Sequence, residues 1–229
     1  YEEMDKLVGK VLPAVDDKTL LLICSDHGFT QFARQFHLNT WLRDNGYLVL
    51  KDKVAKKEET SIFDVDWSQS VAYGVGFNGL YINLQGREGQ GIVPPEKVEE
   101  LTSKLAHELE AVVDFETGER PIAKVYRREE MYTGPATPMM PELLVGYTPG
   151  YRNASASVLG STGKPTIDLN PWAWSGDHSM ARDLVPGTLL SSQKVARADT
   201  SILDLPVTIL DFFGIAKPEQ MVGSSIFKG

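Results

Sequence analysis

The chain has 229 residues, 42% of them hydrophobic and 24% charged, with a formal net charge of −8. This is the composition of an ordinary soluble globular chain, and its acidic balance argues against a nucleic-acid groove or an anionic membrane surface as main partner. No run approaches the roughly 18 apolar residues of a membrane span, and the single cysteine, Cys24, excludes an internal disulfide without fixing a compartment.

Met4, Leu7, Val8, Val11 and Leu12 recur at helical spacing, so Tyr1 to Val15 reads as an amphipathic helix. Thr19 to Cys24 is an apolar run that reads as a strand buried on both faces of a parallel sheet, with Cys24 a buried small hydrophobe. It ends in Ser25-Asp26-His27-Gly28, at the strand tip where α/β folds place their active sites. Leu38 to Asp44 reads as a helix, Tyr47 to Leu50 as a short strand, and charged Lys51 to Thr60 as an exposed loop. Ser70 to Val75 and Gly79 to Leu84 read as strands, and the glycines between them lack the following helix and Lys-Ser/Thr of a phosphate loop. Pro94-Pro95 opens an amphipathic helix to Ala111. Ile122 to Tyr126 and Glu142 to Gly146 read as strands, the latter central. Tyr147 to Trp174 lacks periodicity and reads as a long functional or disordered loop. A strand around Gly187 to Ser191 and a helix from Asp199 to Phe213 follow.

Two polar turns carry the chemistry. Asp26 and His27 supply a hard oxygen and an imidazole side by side, a pair suited to zinc or manganese. Neighbouring strand residues face opposite ways, so both reach one ion only if the strand breaks, as Gly28 permits. The alternative is an Asp and a His satisfied by local hydrogen bonds. Trp174-Ser175-Gly176-Asp177-His178 is a second Gly-flanked turn with a histidine, a ligand or a plain loop residue. Of the other histidines, His37 reads as a helix-start or packing residue and His107 as a solvated one. Arg87 and Arg152 are the candidate phosphate-binding cations, because a guanidinium fork can hold two oxygens. Trp172 and Trp174 either pin their loop or stack on a base.

Asp-His-Gly after an apolar strand, a distant Gly-x-His, and Asp204-Leu205-Pro206-Val207-Thr208-Ile209-Leu210 together resemble the alkaline phosphatase superfamily. Asn39-Thr40-Trp41-Leu42, Gly86-Arg87-Glu88 and Pro141-Glu142-Leu143-Leu144-Val145 narrow the resemblance to its type I phosphodiesterase/nucleotide pyrophosphatase branch. The resemblance implies a three-layer αβα fold with a mostly parallel sheet and a smaller inserted region. It also implies two divalent ions, zinc or alternatively manganese, and in-line attack on a phosphate ester or nucleotide-type substrate. Carried over, Asp26 and His27 match the ligands of the nucleophile-side ion, and His178 the distant ligand of the other. Asp177 fills a position that varies in the family and supports the site at most.

His178 follows His27 by 151 positions, which fits the long insertion of the phosphodiesterase branch, here within about residues 51–141. Phosphomutases of the superfamily place their last histidine close behind, and sulfatases usually replace the Asp-His pair with Asp-Asn. The family's first metal-binding Asp, its nucleophile and an Asp-x-x-x-His pair all precede the Asp-His-Gly strand, and the chain contains no Asp-x-x-x-His. Residues 1–229 are therefore expected to be the C-terminal part of one such domain, inactive alone. A binding module of the same fold without the chemistry is the alternative.

Overall fold

The computed structural model describes residues 1–54, 60–163 and 165–228. In chain order the elements are α1 (Glu2–Val11), β1 (Leu22–Cys24), β2 (Thr30–Phe36), α2 (Leu38–Asp44), β3 (Ala72–Gly74), β4 (Gly79–Ile82), α3 (Val98–Glu110) and β5 (Ile122–Arg127). There follow α4 (Arg128–Met131), β6 (Leu143–Tyr147), β7 (Gly150–Asn153), α5 (Ser155–Val158), β8 (Ile167–Leu169), β9 (Gly176–Asp177), β10 (Leu189–Ser191) and α6 (Asp204–Phe212). The chain divides into two units, residues 1–28 with 187–229, and residues 29–186.

In the unit of residues 29–186, an antiparallel sheet runs in the order β3-β4-β6-β5. Leu80, Ile82, Val125, Leu143 and Val145 are buried in it, and α3 adds Leu105 and Leu109 to the same core. β6 lies inside the sheet, as a central strand should. β2 organises a second sheet, pairing in parallel with β7 and antiparallel with β8 and β9. Its Phe36 joins the main core, while Phe32 packs with Met180 and Val185.

The structure is mixed α/β with small, mostly antiparallel sheets, which corrects the expected mostly parallel three-layer core. Of the pairings between these strands, only β2 with β7 is parallel. The connections explain much of this. Between β3 and β4 the chain reverses over Val75 to Asn78, with Gly76 at φ 72° and Asn78 at φ 61°. Four residues can close a hairpin but not the crossover that parallel neighbours need.

Several local expectations also change. Tyr47 to Leu50 is no strand but irregular chain, with Tyr47 and Leu48 buried and a single bridge from Leu50 to Val65. The expected loop at 147–174 carries β7, α5 and β8. The loop expected at 51–60 falls partly outside the described residues; Lys51, Asp52 and Lys53 within it are exposed, but Thr60 is buried. β2 went unread because its buried residues include the polar Arg34 and Gln35, on opposite faces of the strand.

In the other unit, β1 pairs only with β10, antiparallel. It is therefore not a strand buried on both faces: Leu22 and Ile23 are half-buried and Cys24 is exposed. α1 forms as expected, yet none of its residues is buried. α6 starts at Asp204 rather than Asp199, because the Asp204 carboxylate accepts the Ser201 N–H at 2.8 Å and holds the preceding chain in a turn.

Candidate metal centre

Past the end of β1, Ser25 ties the chain to the approach to β10. Its N–H donates to the Thr188 carbonyl at 3.0 Å, and its Oγ accepts the Thr188 N–H at 2.8 Å. Asp26 and His27 follow directly, and here the strand has given way. The Asp26 Oδ1 accepts the His27 N–H at 3.1 Å, which folds the carboxylate back toward its neighbour. Asp26 Oδ2 then lies 3.4 Å from His27 Nε2.

The other ring nitrogen, Nδ1, lies 2.9 Å from the Gly28 carbonyl oxygen. A carbonyl can only accept, so Nδ1 donates its N–H there, and Nε2 is the ring atom turned toward Asp26. A histidine that ligates a metal is commonly held in this way. Two donors bound about 2.1 Å from one tetrahedral zinc lie about 3.4 Å apart, the separation found here between Oδ2 and Nε2. Asp26 and His27 therefore fit half of the coordination of one ion. Among the described residues no group of three or more His, Cys, Asp and Glu is gathered closely enough to complete such a site.

In the unit of residues 29–186, His178 follows β9, whose residues Gly176 and Asp177 pair with Gln31 and Thr30 of β2. Asp177 is 4% exposed, and its Oδ1 accepts the N–H groups of His178 at 2.6 Å and Ser179 at 3.1 Å. The His178 ring is half exposed, packs edge-on to Phe29 at 5.9 Å, and turns Nδ1 to within 3.5 Å of Asp177 Oδ1. The Ser179 carbonyl accepts from Asn78 of the β3–β4 turn at 3.3 Å.

The two arginines singled out as phosphate-binding candidates both face carboxylates. Arg87 donates to Glu142 at 2.6 and 3.1 Å and to Glu88 at 2.9 Å. Burial opposes its charge, but these two carboxylates outweigh that and raise its pKa above the usual arginine range. Arg152 pairs with Asp177 at 2.9 Å and donates to Asn153 and Ser155. A phosphate would have to displace Glu142 or Asp177 to reach either one. His37 is buried at the start of α2, 3.0 Å from Asp168, and His107 is exposed on α3. Trp174 packs edge-on to Phe32 at 5.5 Å, and both Trp172 and Trp174 remain more than half exposed. Sequence reasoning missed Ser25, Phe29 and Asn78 as supports of the two turns. Their only signal was adjacency for Ser25 and Phe29, and a Phe-Asn-Gly turn for Asn78.

The match with known proteins is to a family rather than to individuals: a model of the family described as type I phosphodiesterase / nucleotide pyrophosphatase matches residues 1–164. No curated protein and no solved structure matches the chain. The matched span takes in Asp26, His27 and the main core, well over half of the 229 residues. The chain belongs to the type I phosphodiesterase/nucleotide pyrophosphatase family, within the alkaline phosphatase superfamily.

Proposed function

We propose that this chain is the C-terminal part of a metal-dependent phosphohydrolase of the phosphodiesterase/nucleotide pyrophosphatase type. The family is one of phosphoric ester hydrolases that typically use divalent metals, and its substrates are phosphate esters. Asp26 and His27 hold one ion and His178 a second, zinc for preference, with manganese the alternative. The observation that carries the reading is the Asp26–His27 pair: Nδ1 tied to Gly28, and Nε2 and Oδ2 at the spacing of two ligands.

When bound, the two ions supply Lewis-acid charge at the phosphoryl oxygens and activate the attacking group. The chain's own residues aim the ligand atoms: Gly28 holds the His27 ring, and Asp177 holds the backbone at His178. The nucleophile and the remaining ligands come, in this reading, from sequence that precedes Tyr1. Two features support it. The chain lacks an Asp-x-x-x-His, and α1 leaves Met4 63% and Leu7 53% exposed, an apolar stripe without cover. Residues within about 51–141 form the substrate-facing insertion, and the substrate is a nucleotide-type or other small phosphate ester. No described helix is long and apolar enough to cross a membrane.

The test is hydrolysis of bis-p-nitrophenyl phosphate by the 229-residue chain and by a protein extended upstream through the next Asp-x-x-x-His. The short chain should turn over nothing, and the extended one should hydrolyse the ester and stop on addition of EDTA. Metal-dependent turnover by the short chain would overturn the placement of the nucleophile. Turnover that ignores EDTA would overturn the metal reading itself.

A further inference from the structure

Arg152 and Asp177 form a buried ion pair that joins two strands. Arg152 is 6% exposed and Asp177 4%, and their contact is 2.9 Å. Arg152 sits on β7 and Asp177 on β9, both paired with β2, and the guanidinium lies 5.0 Å from the Phe32 ring of that strand. It also lies 4.8 Å from the Trp174 ring, which packs edge-on to Phe32. Burial lowers the arginine's pKa, and Asp177 opposes that shift. Nε donates to the Asn153 carbonyl and Nη2 to Ser155 Oγ, so the fork is held at three points.

Such a pair is a poor way to gain stability. Desolvating two charges opposes folding, and apolar residues of like volume are often at least as stable. What an apolar residue cannot do is accept two N–H groups. Asp177 Oδ1 takes those of His178 and Ser179, while Oδ2 faces Arg152. The carboxylate thus fixes the backbone on both sides of the His178 side chain, and Arg152 fixes the carboxylate.

We propose that the Arg152–Asp177 pair is a positioning device that holds the His178 ring in the orientation in which it binds a divalent ion. This rests on the reading of His178 as a metal ligand. Arg152 is then a positioning residue behind the metal, rather than a contact of the phosphate in front of it. Loss of such a supporting partner costs about 10–100-fold in metal affinity.

The experiment is a Zn²⁺ titration of the 229-residue chain, followed by NMR at the assigned ring signals of its four histidines. In the wild type, the His27 and His178 signals should respond. Arg152→Met keeps an apolar stem beside the two rings but removes the charge. It should weaken the response at His178 by about 10–100-fold and leave that at His27 unchanged. Arg152→Lys, which restores the charge, should recover most of it. If Arg152→Met does not fold, Asp177→Asn takes its place, because it keeps an acceptor oxygen and loses only the pairing with Arg152. An unchanged His178 response in a folded variant overturns the positioning role while leaving the metal reading intact. A wild-type His178 that ignores Zn²⁺ overturns both.

Discussion

The Gly28 carbonyl accepts the N–H of His27 Nδ1, and Nε2 is the atom that faces Asp26 Oδ2 at 3.4 Å. Oδ2 and Nε2 thus stand at the spacing of two ligands of one tetrahedral ion. This is the residue-scale reason to expect a metal there. His27→Ala and Asp26→Asn should each lower Zn²⁺ affinity at least about tenfold, or about 1.4 kcal/mol. Calorimetric titration of the 229-residue chain measures this, and equal affinity in both variants would remove the pair from the site. Arg87 belongs to the same scale but to a different role. Glu142, whose side chain is 3% exposed, accepts from Arg87, from Arg128 at 3.0 Å and from the Ile82 N–H at 2.8 Å. Arg87→Ala leaves two of these partners, so urea unfolding should show a loss of about 2 kcal/mol. Asp26 and His27 were legible as a pair because they are adjacent and follow an apolar run. The commitments of Arg87 and Arg152 were not, because Glu142 and Asp177 are far along the chain and meet them only through the sheets.

Among the elements, those with strong periodicity or clear end signals were readable. α2 and α3 have the expected identity, and β5 and β6 fall within a residue or so of their expected bounds. β2 was not readable because its side chains do not alternate. Arg34 is buried in an ion pair with Asp114 at 2.5 Å, a long-range partner that turns a charged residue into a core one. β7, α5 and β8 are each four residues or fewer, too short to leave a periodic trace. The start of α6 depends on Asp204. Burial raises the pKa of its carboxyl, but the N–H groups of Ser224 and Ser201 and the Arg197 guanidinium outweigh that and lower it. A depressed folded-state pKa gives stability that is present above the unfolded value of about 3.9 and is lost as the pH falls through the folded one. Asp204→Ala should therefore cost about 3 kcal/mol at pH 7 and flatten the acid side of the melting-temperature profile. A variant with the wild-type acid slope would mean that Asp204 does not carry it.

For the whole molecule, the family was readable from short motifs in order, and the sheet direction was not. The apolar run before Asp26 carries no information about which strands flank it. In the structure its only strand partner among the described residues is β10, antiparallel, and Cys24 stays exposed. The long separation of His27 from His178 in sequence also has a structural counterpart, since the residues between them build most of the unit of residues 29–186.

The account stands on three ligands. Zn²⁺ soaked into crystals of the 229-residue chain and located by anomalous scattering at the zinc edge tests them directly. One ion is expected about 2.1 Å from both an Asp26 carboxylate oxygen and His27 Nε2, and another about 2.1 Å from a ring nitrogen of His178. Zinc found only at other residues, with His27 Nε2 and the His178 ring free of metal, would contradict it.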